Sequence, residues 1–266
     1  MFEAKLSDGF IFKKIIDSIK DIVDTANIHI SKNGIEMQAM DGSHVALVSL
    51  KLSKEGFDSF KCTKDQVLGI NVKDFSKFIK FVEQNDSLLL RAKPNATTLY
   101  VESVSAKNQN KVEFEYRLQQ LDEENLSVPE QQYDSCITIN SNLFTKHCRD
   151  LRALDDTVKI EVKEDKVLLS VEASNGTLSI LLNDSASQNS AIDDDRQNAL
   201  KVQVSNPNIY ISQQFALGYL ELFNKAGCLG TFTRLHLMDG EPLITEFIID
   251  GLGNMKFFLA PKIKSE

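Results

Sequence analysis

The 266-residue sequence has no excess of positive charge: 30 Lys and Arg stand against 38 Asp and Glu, giving a formal net charge of −8. A protein that coats nucleic acid by bulk charge needs a basic surface, so that mode is excluded and any nucleic-acid contact must come from local patches. Long apolar runs are also missing. No stretch approaches the roughly 18 apolar residues of a membrane span. The opening MFEAKLSDGF carries Glu3 and Asp8 where a signal peptide would have its apolar core. The expectation is a soluble, intracellular protein with no membrane contact.

Cysteine is scarce. Cys62, Cys136, Cys148 and Cys228 are scattered and form no C-x-x-C pair, which argues against a disulfide framework or a zinc site and predicts reduced, mostly buried thiols. Catalytic motifs are equally scarce. His29, His44, His147 and His236 stand apart with no H-E-x-x-H spacing. His147 adjoins Cys148, but successive helix residues point about 100° apart, so adjacency makes no nucleophile–base pair and His147 reads as a helix-boundary residue. GLGNMK lacks the third glycine of a dinucleotide loop and lies between strands, as a hairpin turn would. No enzyme, metal or cofactor is expected.

What the sequence does have is an internal repeat. The stretch beginning DGFIFKKIIDSIKD aligns with the stretch beginning NSNLFTKHCRDLRA, and each passes through Asp-Thr into alternating strands. Apolar residues at Phe12, Ile15, Ile16, Ile19, Ile22 and Val23, and at Phe144, Cys148, Leu151 and Leu154, follow the helical period. A second helix in each copy runs through Phe75, Phe78, Ile79 and Val82, and through Phe215, Tyr219, Leu220 and Phe223. Strands alternate with period two, and Asn33-Gly34 signals a hairpin. The pattern predicts an α+β fold of two similar domains, residues 1–120 and 136–266, with helices on one face of antiparallel sheets. Residues 121–135 form a polar connector in which Leu126 and Val128 are either anchors on the sheet below or part of an exposed apolar patch. An acidic loop carries Asp193, Asp194 and Asp195 without the spacing of a calcium loop.

Basic residues collect on the repeated helices. Lys13 with Lys20, Lys77 with Lys80, and Lys146 with Arg149 are spaced to share helix faces. Either these are ordinary solvated faces, or together they form an electropositive lane for a phosphate backbone, read without sequence preference. No aromatic residues interleave on those polar faces, which favours duplex over single-stranded nucleic acid.

MFEAKL, FKKIIDSIKD, MDGSHVALVSL, LSVPEQQYDS, CRDL and FFLAPKI occur in that order along essentially the whole chain. Together they resemble the proliferating cell nuclear antigen family, the eukaryotic DNA sliding clamps. The resemblance implies a nuclear, non-enzymatic homotrimer, a closed ring around duplex DNA. The ring would serve as processivity factor for DNA polymerase and as a platform for replication and repair proteins carrying clamp-binding peptides, and a clamp loader would place it. A subunit of a heterotrimeric checkpoint-type clamp is the alternative.

By position, the resemblance makes Lys13, Lys14, Lys20, Lys77, Lys80, Lys111, Lys146, Arg149 and Lys225 DNA-facing. It makes Met40, His44, Val45, Leu47, Leu126, Val128, Tyr133, Pro242, Phe258, Ala260 and Pro261 the partner-peptide pocket. Phe114 would meet Leu178 and Ile180 of the next subunit through paired edge strands. Three departures suggest a divergent or second clamp copy. Glu164, between Lys163 and Lys166, stands where the family often has a modified lysine, Gly218 stands at an often basic position of the fourth helix, and the acidic loop is long.

Overall fold

The computed structural model describes residues 1–122, 126, 132–164, 166–183, 200–206 and 208–263. Val128 and the acidic run at 193–195 lie outside the described residues. The chain divides into two compact units, Met1–Ser127 with Ile249–Met255, and Val128–Ile248 with Lys256–Glu266.

The first unit runs β1 (Phe2–Leu6), α1 (Phe10–Ile19), β2 (Thr25–Ser31), β3 (Gly34–Met40), β4 (Ala46–Ser53), β5 (Ser59–Cys62), β6 (Gln66–Asn71), α2 (Val72–Ile79), β7 (Ser87–Ala92), β8 (Thr98–Val104) and β9 (Lys111–Arg117). The second runs β10 (Ser135–Asn140), α3 (Ser141–Arg152), β11 (Thr157–Lys163), β12 (Lys166–Ala173), β13 (Gly176–Asn183), β14 (Leu200–Val204), β15 (Tyr210–Ala216), α4 (Leu217–Phe223), β16 (Phe232–Leu237), β17 (Leu243–Ile249) and β18 (Gly253–Leu259). In the first unit neighbouring strands follow the orders β5-β1-β7-β8-β9 and β4-β3-β2-β6; in the second, β14-β10-β16-β17-β18 and β13-β12-β11-β15. Adding nine to each strand number of the first unit reproduces the second, so the repeat read in the sequence is a repeat of topology. All the pairings given in register are antiparallel.

The helices form because apolar stripes must be buried and because their ends are satisfied. Phe12, Ile15, Ile16 and Ile19 of α1 are buried, as are Phe144, Cys148 and Leu151 of α3. The Asn71 side chain accepts from the Asp74 N–H at 2.8 Å, and Asn140 accepts from the Asn142 and Leu143 N–H groups, so α2 and α3 begin with capped turns. The α1 start relies on close approach: a Cβ at Gly9 would fall 2.4 Å from the Leu88 Cβ. Within each unit the two helices pack side by side, α1 on α2 and α3 on α4.

Several expectations need correction. The β2–β3 turn is Lys32-Asn33, with Ser31 paired to Gly34, one residue earlier than the Asn-Gly signal placed it. Gly34 is needed for its φ of 146° and because a Cβ there would lie 2.0 Å from the Leu52 carbonyl oxygen. Leu154 falls just past the end of α3 and is 49% exposed, and Phe78 is 41% exposed, although period alone puts both on apolar stripes. Of the four thiols only Cys148 is buried; Cys62 and Cys136 are half-buried and Cys228 is exposed. Aromatic rings do accompany the helix lysines. Phe10 lies 5.2 Å from Lys13 Nζ and 5.3 Å from Lys14 Nζ, and the exposed Phe81 lies 5.5 Å from Lys80 Nζ.

Candidate nucleic-acid interface and partner surfaces

The helix cations differ in how free they are to meet a phosphate. Lys13 donates to the carbonyl oxygens of Lys80 at 2.7 Å and Val82 at 2.9 Å. It therefore ties α1 to the C-terminal end of α2, where a cation also meets the negative end of the helix dipole. Lys20 pairs with Asp17 at 2.6 Å and Lys77 with Asp74 at 2.7 Å, both within one helical turn and partly exposed. Exposed pairs of this kind are weak, so either ammonium can exchange its carboxylate for a phosphate at little cost. Lys80 is exposed and Lys14 half-exposed on the same two helices. In the second unit Lys146 and Arg149 are exposed on α3, and Lys225 is exposed in the short 3-10 segment after α4.

Lys111 stands apart from the helices. It lies on β9 between Glu113 at 2.5 Å and Glu102 at 3.1 Å. Hydrogen bonds to those two carboxylates, Glu113 foremost, hold its pKa above the usual lysine range, and two acids already match its charge.

The predicted subunit contacts sit on strands paired along one side only among the described residues. β9 pairs with β8 and ends its sheet; β13 pairs with β12 and ends another. On β13, Leu178, Ile180 and Leu182 stand opposite the buried Val171, Leu169 and Val167. On β9, Val112, Phe114 and Tyr116 stand opposite the buried Ser103, Val101 and Leu99. Residues directly opposite in a ladder share a face. Each edge therefore continues the core layer outward and leaves it incompletely covered, with Leu178 40% exposed and Val112 39%. Phe78 extends the β9 patch, its ring centroid 5.3 Å from that of Phe114.

The proposed pocket residues fall in both units. In the first, Met40 is half-buried at the end of β3, opposite Leu47, which is buried and serves the core. The following turn is organised by the buried Asp41 carboxylate, which accepts N–H groups of Ser43 at 3.0 Å, Val45 at 2.8 Å and Ala46 at 2.6 Å. That collar presents His44, exposed at φ 57°, and the half-buried Val45. Leu126 is half-buried. In the second unit the Tyr133 hydroxyl donates to the Pro242 carbonyl oxygen at 3.2 Å, and burial raises its pKa. Phe258 and Pro261 are half-buried and Ala260 is exposed.

The family model described as proliferating cell nuclear antigen, N-terminal domain, matches residues 1–126, and the C-terminal domain model of the same family matches residues 127–262.

The chain belongs to the proliferating cell nuclear antigen family.

It is therefore a DNA sliding clamp, in a family of clamps that serve DNA replication as non-enzymatic scaffolds and bind DNA and polymerase partners. The repeat holds one further cation at an equivalent helix position. The alignment that carries Thr25 onto Thr157 also carries Lys20 onto Arg152, so the signal was present in the repeat. Arg152 pairs with Asp156 and reaches Glu221 at 3.8 Å. Its Nη2 would lie 3.7 Å from a Cβ at Gly218, so an arginine from α3 borders the position where the fourth helix lacks a basic side chain. Phe78 lies on the apolar stripe of α2, and its exposure and its contact with Phe114 place it beside the edge.

Proposed function

We propose that three copies of this chain close into a ring around duplex DNA in the nucleus. The ring acts as processivity factor for DNA polymerase and as a recruitment platform for replication and repair proteins. The observation that carries the reading is the pair of open edges, β9 and β13, each ending a sheet with its apolar layer exposed. Pairing of β9 of one copy with β13 of the next would cover both edges at once. A clamp loader would open one such joint. Lys14, Lys20, Lys77, Lys80, Lys146, Arg149 and Lys225 would meet the phosphate backbone, while Lys13 and Lys111 have structural partners. Partner peptides would insert apolar and aromatic anchors at Met40, His44, Val45 and Leu126 and at Tyr133, Pro242, Phe258, Ala260 and Pro261.

Light scattering coupled to size exclusion tests the ring. The expected mass is three times the 29.9 kDa chain, persisting on dilution. A persistent monomer would support the heterotrimeric checkpoint-type clamp instead. The lysines are tested by Lys20→Ala combined with Lys77→Ala. Each phosphate contact contributes about 0.9 to the slope of log K against log salt, so duplex binding should weaken and that slope become shallower. An unchanged salt dependence would move the DNA path away from α1 and α2.

A further inference from the structure

The second unit carries a cluster outside the residues assigned above to DNA, partner peptides or subunit contact. Cys136 on β10 stands directly opposite His236 on β16, so the two side chains are cross-strand neighbours on one face. The His236 Nε2 lies 3.0 Å from the Glu246 Oε2 on β17. Glu246 is 6% exposed, and Lys256 and Arg234 approach its carboxylate at 3.6 and 3.9 Å. A thiol, an imidazole and a carboxylate thus follow one another across three adjacent strands, within a positively charged surround. Among the described residues no such group is placed to hold a metal ion, which leaves chemistry of the thiol itself.

We propose that Cys136 is a modification site, a thiol set up by His236 and Glu246 to react with peroxides and soft electrophiles. The thiolate is the reactive form of cysteine, and a neighbouring histidinium favours reaction at a partly exposed sulfur. Burial works to lower the His236 pKa, but its contacts with Cys136 and Glu246 outweigh this and raise it to about 9, so the ring is charged at neutral pH. Burial likewise works to raise the Glu246 pKa, and His236, Lys256 and Arg234 reverse that, keeping the carboxylate ionised. With hydrogen peroxide, the sulfur attacks one oxygen and the O–O bond breaks. The departing hydroxide takes the imidazolium proton and leaves as water. Sulfur is oxidised by two electrons to the sulfenic acid, and the peroxide is reduced. The Tyr133 ring lies 6.1 Å from that of His236, so oxidation would occur beside a residue of the proposed partner pocket.

The other cysteines are internal controls. The full-length protein would be treated with limiting iodoacetamide, and separately with hydrogen peroxide followed by a sulfenic-acid probe, and each site quantified by mass spectrometry. Cys136 is expected to react first, about tenfold ahead of the comparably half-buried Cys62 and ahead of the exposed Cys228. If Cys228 leads and Cys136 merely matches Cys62, exposure alone governs reactivity and the proposal is overturned. His236→Gln and Glu246→Gln should each slow Cys136 several-fold and leave Cys62 and Cys228 unchanged. Labelling of the buried Cys148 would reveal a variant that has opened its fold, and the wild-type ranking then decides alone.

Discussion

Phe75→Ala is expected to destabilise the first unit by about 3–5 kcal/mol, the cost of removing a fully buried aromatic ring and leaving a cavity. Phe75 is completely buried on α2, with its ring 6.4 Å from Phe12 on α1 and 5.0 Å from Tyr116 on β9. Tyr116 in turn bridges to the start of α2, its hydroxyl accepting from the Asn71 N–H and donating to the Asn71 carbonyl, both at 3.2 Å. One ring therefore holds both helices against an edge strand, and its loss should lower the thermal midpoint by on the order of 10 °C. Phe78→Ala, three residues on, removes a ring that is 41% exposed and should cost well under half as much. Thermal unfolding followed by circular dichroism compares the two. Equal losses would show that the interior of this unit is not organised around Phe75.

That contrast also marks how far the sequence could be read. Period 3.6 correctly put Phe12, Ile15, Ile16 and Ile19 inward, and period two correctly drew β2 and β3, because burial of one face imposes those spacings. Periodicity names a face but not what covers it. Phe78 and Leu154 lie on apolar stripes that run past the cover supplied by the chain itself, and period alone does not separate them from buried residues. The same limit applies to Leu178 and Ile180, whose alternation is that of any half-buried strand. That β13 ends its sheet follows only from topology. Leu47, which resemblance puts among the pocket residues, is a buried member of β4, where core packing also accounts for it. Among the candidate cations, sequence supplied Lys13 but not its two carbonyl acceptors at the end of α2, which lie far along the chain. Cys136, His236 and Glu246 are separated by 100 and 10 residues, and strand pairing alone brings them together.

The ring reading makes its sharpest prediction at the two edges. Phe114→Asp places a carboxylate in the apolar row of β9, between Glu113 and Glu115 and against the Phe78 ring. Pairing with another strand would then desolvate an unpaired charge, at a cost of several kcal/mol, and the solution mass should fall from three chains to one. Leu178→Asp should do the same from the β13 side. Both sites are already partly exposed, so each monomer should keep a cooperative unfolding transition near that of the parent. The two variants mixed together discriminate further. A head-to-tail interface uses different surfaces on its two sides, so the Phe114→Asp chain retains a working β13 and the Leu178→Asp chain a working β9. One joint can form between them and no second one can follow, so the mixture should show a species of two chains that neither variant forms alone. A mass unchanged in either single variant would remove that strand from the interface. Two monomers that stay monomeric on mixing would mean that β9 and β13 are not each other's partners.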